Sequence, residues 1–194
     1  MNAIDMDTIT FFWDWLPLDK KEFRILAMLA DVGTYEGNIT NLCRYFSLNP
    51  QTSTRNQLRN SIDTLVGQGY IRKEQRGRTY ILKAIPIPKG RTIRIKREWF
   101  VAVRDHQYHC ASVSWEAIIK VLLWLTDRSS TVFTNAEMAE DLHISVSTIG
   151  EAKKVLENDF QAIVRDYVSV KVGENLFQRI GQIVDVCAWW WGDD

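Results

Sequence analysis

The 194-residue chain is 46% hydrophobic and carries 24 basic and 24 acidic side chains, so its formal net charge is zero. Its length suffices for one large or two small hydrophobic cores, while no apolar run approaches the roughly 20 residues of a membrane span and no basic, cleavable leader opens the sequence. Three widely separated cysteines (Cys43, Cys110 and Cys187) favour neither a disulfide framework nor a zinc ribbon, and we therefore expect a soluble, cytoplasmic protein of two modest domains.

The neutral total hides an uneven distribution of charge along the chain. Residues 1–19 carry four acidic and no basic side chains, residues 20–104 carry 17 basic against six acidic side chains, and residues 105–194 carry seven basic against 14 acidic side chains. Such asymmetry is expected when one part of a protein faces a polyanion and another does not. The basic middle segment is therefore the candidate region for binding nucleic acid.

Three helices are predicted first in the chain. Hydrophobic side chains recur at helical spacing over residues 20–32, and a short second helix over residues 40–46 opens with Thr40 as its cap. A third helix begins near Thr54, which has the spacing of a capping box with Gln57. The third helix buries one face, formed by Leu58, Ile62, Leu65 and Val66.

A β-hairpin and a domain boundary follow the third helix. Residues 70–73 and 79–85 read as two strands, and residues 74–78 between them form a basic tip. Two prolines and a Lys-Gly pair over residues 86–90 mark a boundary between domains. From Arg91 an alternating apolar and basic stretch predicts another strand.

The same order of elements then repeats. Residues 115–125, 134–142 and 147–160 predict three helices, and residues 163–172 and 176–186 predict a second hairpin. The segment Phe133-Thr134-Asn135 matches Ile39-Thr40-Asn41 at a separation of 94 residues. The pattern indicates an internal duplication.

The first half resembles the winged helix-turn-helix superfamily of bacterial regulators. The resemblance covers roughly residues 20–85 and rests on the spacing of Leu58, Ile62 and Leu65 before Gly69-Tyr70-Ile71, and of Gly77 before Tyr80 and Leu82. The repeated unit, in which an Ile-x-Ile-x-x-x-Trp-Phe segment precedes an apolar helix, is also similar to the helix-turn-helix modules of plasmid and phage replication initiators. The resemblance implies an α+β, mainly α, fold of two tandem winged-helix domains over residues 1–88 and 89–194, each with three helices and a hairpin wing.

On this interpretation the third helix of the first domain enters the major groove of duplex DNA and the hairpin reaches phosphates. Arg55 and Arg59 are the leading base-reading candidates, because an arginine pairs with guanine through two hydrogen bonds. Asn56, Gln57 and Asn60 suit adenine, and hydroxyls at the helix start suit a phosphate. The predicted DNA-binding residues are Thr52, Ser53, Thr54, Arg55, Asn56, Gln57, Arg59, Asn60, Arg72, Lys73, Arg76 and Arg78.

The second domain carries carboxylates on its corresponding helix, which phosphates repel. We therefore expect an accessory role for it, in dimerisation or in docking another protein, with the terminal Trp189-Trp190-Trp191 as a candidate contact patch. Those tryptophans are also explained by packing onto their own sheet. A secondary DNA contact, if it forms, involves Ser147, Thr148, Lys153 and Lys154.

No motif indicates an enzyme. Phosphate-binding loops, nucleophile elbows and zinc-protease helices are absent from the sequence, and His106, His109 and Cys110 lack a fourth ligand at metal-binding spacing. We expect no cofactor, no metal and no membrane partner.

The sequence predicts a sequence-specific binder of double-stranded DNA, acting in transcription regulation or in DNA replication of a plasmid or phage. The alternative is a tandem winged-helix adaptor that binds other proteins without reading DNA, since the fold by itself never proves DNA binding.

Overall fold

The computed structural model describes residues 8–106, 113–128, 131–173 and 176–187. Within these residues the chain forms seven α-helices and seven strands in small open sheets, which confirms the predicted α+β class. The helices are α1 (Lys20–Val32), α2 (Ile39–Tyr45), α3 (Thr52–Gly67), α4 (Arg97–Asp105), α5 (Trp115–Asp127), α6 (Asn135–Leu142) and α7 (Val146–Asn158). The strands are β1 (Thr8–Phe12), β2 (Thr34–Gly37), β3 (Ile71–Arg76), β4 (Thr79–Ala84), β5 (Thr92–Lys96), β6 (Ile163–Lys171) and β7 (Phe177–Val186).

The chain divides into two compact units, which we call the inner unit (residues 11–91) and the outer unit (residues 8–10 with the described residues from 92 onward). This division differs from the predicted one, which placed residues 1–88 together. The difference arises because β1 pairs with β5 in a two-stranded sheet, so that residues 8–10 join the part of the chain that follows the inner unit.

The inner unit places α1, α2 and α3 beside a three-stranded antiparallel sheet of order β2-β4-β3. Helix α1 has the predicted bounds, because Asp19 caps its first turn and the chain turns away at Gly33. The core buries Phe23, Leu26, Leu42, Leu58, Ile62, Leu65, Ile71 and Leu82.

Three local predictions for the inner unit were wrong, and one strand was not predicted. Helix α2 is capped by Asn38, whose side chain accepts a hydrogen bond from the Asn41 amide, and not by Thr40. Helix α3 begins at Thr52 after Gln51, so the Thr54 capping box does not form. Val66 is 37% exposed rather than inward, and β2 was not predicted as a strand.

The outer unit contains β1, β5, α4 and a second set of three helices, α5 to α7, followed by the β6–β7 hairpin. Helix α6 has a complete capping box between Thr134 and Glu137, and Ser145 caps α7. Helix α4 was not predicted. No helix in the described part of the chain is long and apolar enough to cross a membrane.

The two units share more than the order of their helices. Strand β2 pairs with β4, the second strand of the first hairpin, and Phe133 forms a single bridge with Gln182 on β7, the second strand of the other hairpin. In each unit an acidic residue of the third helix pairs with a basic residue of the first hairpin strand. The pairs are Asp63 with Lys73 and Glu157 with Arg165.

Candidate nucleic-acid interface

The outward face of α3 carries the predicted base-reading residues. Because Leu58, Ile62 and Leu65 turn towards the core, the opposite face of the helix points away from it. Thr54 and Arg55 are half-buried, whereas the remaining predicted residues of this helix are exposed, namely Thr52, Ser53, Asn56, Gln57, Arg59 and Asn60.

A groove of about 420 Å³ runs between α3 and the β3–β4 hairpin; we call it the inner groove. Its basic lining comes from Arg55 and Arg59 on α3 and from Arg78 at the hairpin turn. None of its lining residues is acidic. They are Asn38, Ile39, Thr40, Arg55, Arg59, Gln75, Gly77, Arg78 and Tyr80.

The two helical arginines are held by neutral side chains one turn earlier in α3. Arg55 donates to Thr52 Oγ1 at 3.3 Å and Arg59 donates to Asn56 Oδ1 at 2.8 Å. The Nε atom of Arg55 is buried without a hydrogen-bond partner in the described structure. Burial raises the pKa of Cys43 on α2 above its usual value, and the nearby charges of Arg55 and Arg59 offset part of this rise. Neutral partners leave the charges of both arginines available to an anionic ligand.

The hairpin turn brings Arg78 to the groove. Gly77 has a φ of +59°, a conformation that glycine adopts without steric cost, and Gln75 Nε2 donates to its carbonyl at 2.9 Å. The turn therefore consists of Gly77 and Arg78 between the paired residues Arg76 and Thr79. Arg78 is exposed and makes no ion pair in the described part of the chain.

The other predicted wing residues do not line this groove. Side chains alternate across a strand, so Lys73 and Gln75 share one face of β3 and Arg72 and Arg76 lie on the other. Lys73 is paired with Asp63 of α3. Arg76 lies 3.9 Å from Glu74 with both side chains largely exposed, a geometry that contributes little energy.

The outer unit has a corresponding groove of about 390 Å³ between α7 and the β6–β7 hairpin, which we call the outer groove. Of the four predicted secondary contacts, Lys153 and Lys154 line it. Lys153 is buried, whereas Lys154 is exposed and lies 2.9 Å from Glu151. Ser147 is exposed and Thr148 is half-buried at the start of α7, outside the groove lining.

Several of the groove residues were not predicted from the sequence. In the inner groove these include Asn38, which caps α2, and Tyr80, which lies opposite Gln75 in the hairpin register. A polar residue just before the apolar Ile39 was the available signal for the cap. In the outer groove Arg165 and Arg179 were missed, because alternating strand patterns carry no signal for a shared cleft.

Of His106, His109 and Cys110, the last two lie outside the described residues, as does the Trp189–Trp191 patch. Among the residues that are described, no group of three histidine, cysteine, aspartate or glutamate side chains is placed to hold a metal ion.

The sequence matches no protein-family model and no curated protein. The function is therefore inferred from the chemistry and geometry of the two grooves.

Proposed function

We propose that the chain binds duplex DNA through the inner groove and the exposed face of α3. The observation that carries the proposal is the convergence of Arg55, Arg59 and Arg78, from two separate elements, on a groove whose lining residues include no carboxylate. Guanidinium groups only donate hydrogen bonds, so the complementary ligand presents acceptors and negative charge.

The shape of this surface supports a nucleic-acid ligand. A single exposed helix fits the major groove of B-form DNA, where base edges are distinguishable. Helix α3 presents two arginines, two asparagines and a glutamine on its outward side, and the hairpin turn supplies a cation beside it. Arg59 suits guanine and Asn56, Gln57 or Asn60 suits adenine, with about 1–3 kcal/mol of base discrimination for one well-placed pair.

Charge supports the same ligand. The inner unit carries 13 basic against seven acidic side chains, although the whole chain is neutral. A local excess of this kind attracts DNA and makes binding strongly dependent on salt.

The order of elements favours a winged-helix fold for each unit. A short strand or bridge before the second helix pairs with the last strand of the hairpin in both units, and the third helix packs beside that hairpin. Two such units in tandem suit a transcription regulator or a replication initiator of a mobile element. The arrangement of half-sites in the DNA target distinguishes binding as a dimer from binding as a monomer. A palindrome requires a dimer, whereas a direct repeat or a single site suits a monomer.

The test is fluorescence anisotropy with random-sequence duplex DNA between about 50 and 200 mM salt, with the full chain and an Arg55→Ala/Arg59→Ala variant. We expect the double variant to bind more weakly, and the slope of log K against log salt to fall by about 0.9 for each of the two arginines that neutralises a phosphate. An arginine that contacts only a base leaves the slope unchanged. The matched control is Lys20→Ala/Lys21→Ala, which removes the same charge from the exposed start of α1, outside the groove. Equal weakening by both variants, or no binding by the wild type, contradicts the proposal.

An adaptor function is favoured by one observation in the outer unit. One end of the β6–β7 hairpin exposes Val172, Leu176 and Phe177 to 52–65% of their surface, and large exposed apolar patches mark protein-binding surfaces. Sedimentation equilibrium of the wild type and of a Leu176→Ser/Phe177→Ser variant tests for a homodimer through this hairpin. A monomer in both proteins excludes that dimer.

A further inference from the structure

We propose that the outer groove is a second site for duplex DNA, which holds a backbone phosphate and does not read bases. The inference deepens the proposed function and rests on it for the identity of the ligand. Its evidence comes from a different set of residues, in the outer unit.

Four cationic side chains from three elements line the outer groove. Lys153 and Lys154 come from α7, while Arg165 and Arg179 come from β6 and β7. The remaining lining residues are neutral, so none of the described residues that line the cleft is a carboxylate. Ammonium and guanidinium groups donate hydrogen bonds and accept none, which selects a ligand rich in anionic oxygen atoms.

The most informative of these residues is Lys153, whose side chain is only 1% exposed. Its ammonium group donates to Asn135 Oδ1 and lies 5.7 Å from the centre of the Phe133 ring. The same Asn135 oxygen accepts a hydrogen bond from Gln182 Nε2 at 2.6 Å. Neutral groups thus fix the position of Lys153, and no carboxylate in the described part of the chain forms an ion pair with it.

A buried charge without a partner of opposite sign is costly, because desolvation is not repaid. The pKa of Lys153 is lowered to about 8 by burial and by the charges of Arg165 and Arg179, with partial compensation from Glu157. A phosphate in the groove would supply the missing negative charge. The arrangement is that of a preformed anion site rather than a closed salt bridge.

Two carboxylates of α7 pair with two of the four cations of the groove. Glu157 pairs with Arg165, and Glu151 pairs with Lys154 at 2.9 Å. Arg179 instead stacks on the ring of Tyr167. Lys153 and Arg179 therefore remain as the cations of the groove without a carboxylate partner in the described residues.

Base reading is not expected here. The cleft presents charged donors around Gly150, which has no side chain to reach a base, and its cations are held by other groups of the protein. Phosphate contacts position a protein on DNA but carry no sequence information. Loss of this site should weaken binding to all duplexes to the same extent.

The experiment uses the full chain with Arg179→Gln, Lys153→Met, and the control Lys171→Gln, which removes an exposed charge from the same hairpin outside the groove. Anisotropy on several duplex sequences should show binding about tenfold weaker at 0.1 M salt for each groove variant, with the salt slope reduced by about 0.9. The control should match the wild type. Arg179 lies at the surface, so its variant remains informative if Lys153→Met alters folding.

The two proposals fail in different ways. Weakening by the Arg55→Ala/Arg59→Ala variant but not by Arg179→Gln overturns the second site and retains the inner groove. The reverse pattern retains the second site and overturns the proposed function, and a wild type that binds no duplex overturns both. A small phosphate ligand is distinguished from DNA by urea denaturation of the protein in inorganic phosphate and in chloride at equal ionic strength. If inorganic phosphate stabilises the wild type but not Arg179→Gln, and both proteins bind DNA equally, the groove serves a small phosphate ligand and the proposal is wrong.

Discussion

The two grooves occupy the same place in the order of elements but hold their cations differently. Arg59 follows Gln51, the residue before α3, by eight positions, and Lys153 follows Ser145, the residue before α7, by the same eight positions. Arg59 is exposed and rests on a neutral neighbour in its own helix, whereas Lys153 is buried against Asn135 of another helix. The same helix position therefore carries an exposed, adaptable charge in the inner unit and a buried, fixed charge in the outer unit, because different residues surround it.

The largest expected contrast concerns the neutral partners of these two cations. Asn135→Ala removes the oxygen that accepts from both Lys153 and Gln182, leaving two buried donors unsatisfied. We expect a loss of about 2–3 kcal/mol in the free energy of unfolding, measured by urea denaturation. Asn56→Ala removes the corresponding partner of exposed Arg59 and should cost less than about 0.5 kcal/mol. Equal losses of unfolding free energy for the two variants would contradict the expected difference between the buried Lys153 and the exposed Arg59.

A smaller effect is expected from pH. The folded protein releases the proton of Lys153 at about pH 8, whereas the unfolded chain retains it until about pH 10.4. Between these values the unfolded state binds more protons, so the free energy of unfolding should rise with pH, by at most about 1.4 kcal/mol per unit. Well below pH 8 the residue is protonated in both states and contributes no slope.

The measurement is urea denaturation at intervals from pH 7 to 9.5, below the range in which tyrosines ionise. This range matters because burial raises the pKa of Tyr35 to about 12, which gives a slope of the opposite sign above pH 10. Lys153→Met should abolish the rise, and Lys171→Gln should retain it. If the free energy of unfolding still rises with pH in the Lys153→Met variant, another titrating group causes the rise.

The smallest effect should come from the ion pairs between the third helix and the hairpin. Asp63 is 61% exposed beside Lys73, whereas Glu157 is 30% exposed beside Arg165. Exposed pairs contribute roughly 0–1 kcal/mol, and less solvent strengthens the interaction. We expect Asp63→Asn to cost about 0.3 kcal/mol and Glu157→Gln about 1 kcal/mol of unfolding free energy, as measured by thermal and urea denaturation. The opposite order would show that exposure does not govern these pairs.

Local patterns in the sequence predicted most of the helices. Both ends of α1 follow from the periodic apolar residues between Asp19 and Gly33, and the Thr134 capping box marks α6. Strand β2 could not be predicted in this way, because its four residues, Thr-Tyr-Glu-Gly, are stabilised by pairing with β4 nearly fifty residues later.

The candidate sites were predicted in part. The outward residues of α3 follow from the helical period, but which cations share a cleft depends on strand register. A register shift between Val168 and Ser169 determines how Arg179 lies relative to Tyr167, and no local pattern encodes it. The burial of Lys153 likewise depends on Phe133, Asn135 and Gln182, which are distant from it in sequence.

The pairing of β1 with β5 has a consequence for the order in which the chain folds during synthesis. Residues 8–10 are synthesised before the inner unit, yet their partner strand follows roughly 80 residues later. By then the inner unit has been completed, and its two ends meet where the Trp13 amide donates to the Arg91 carbonyl at 2.9 Å. The inner unit is thus able to fold on the ribosome while only the first strand of the outer unit has been synthesised.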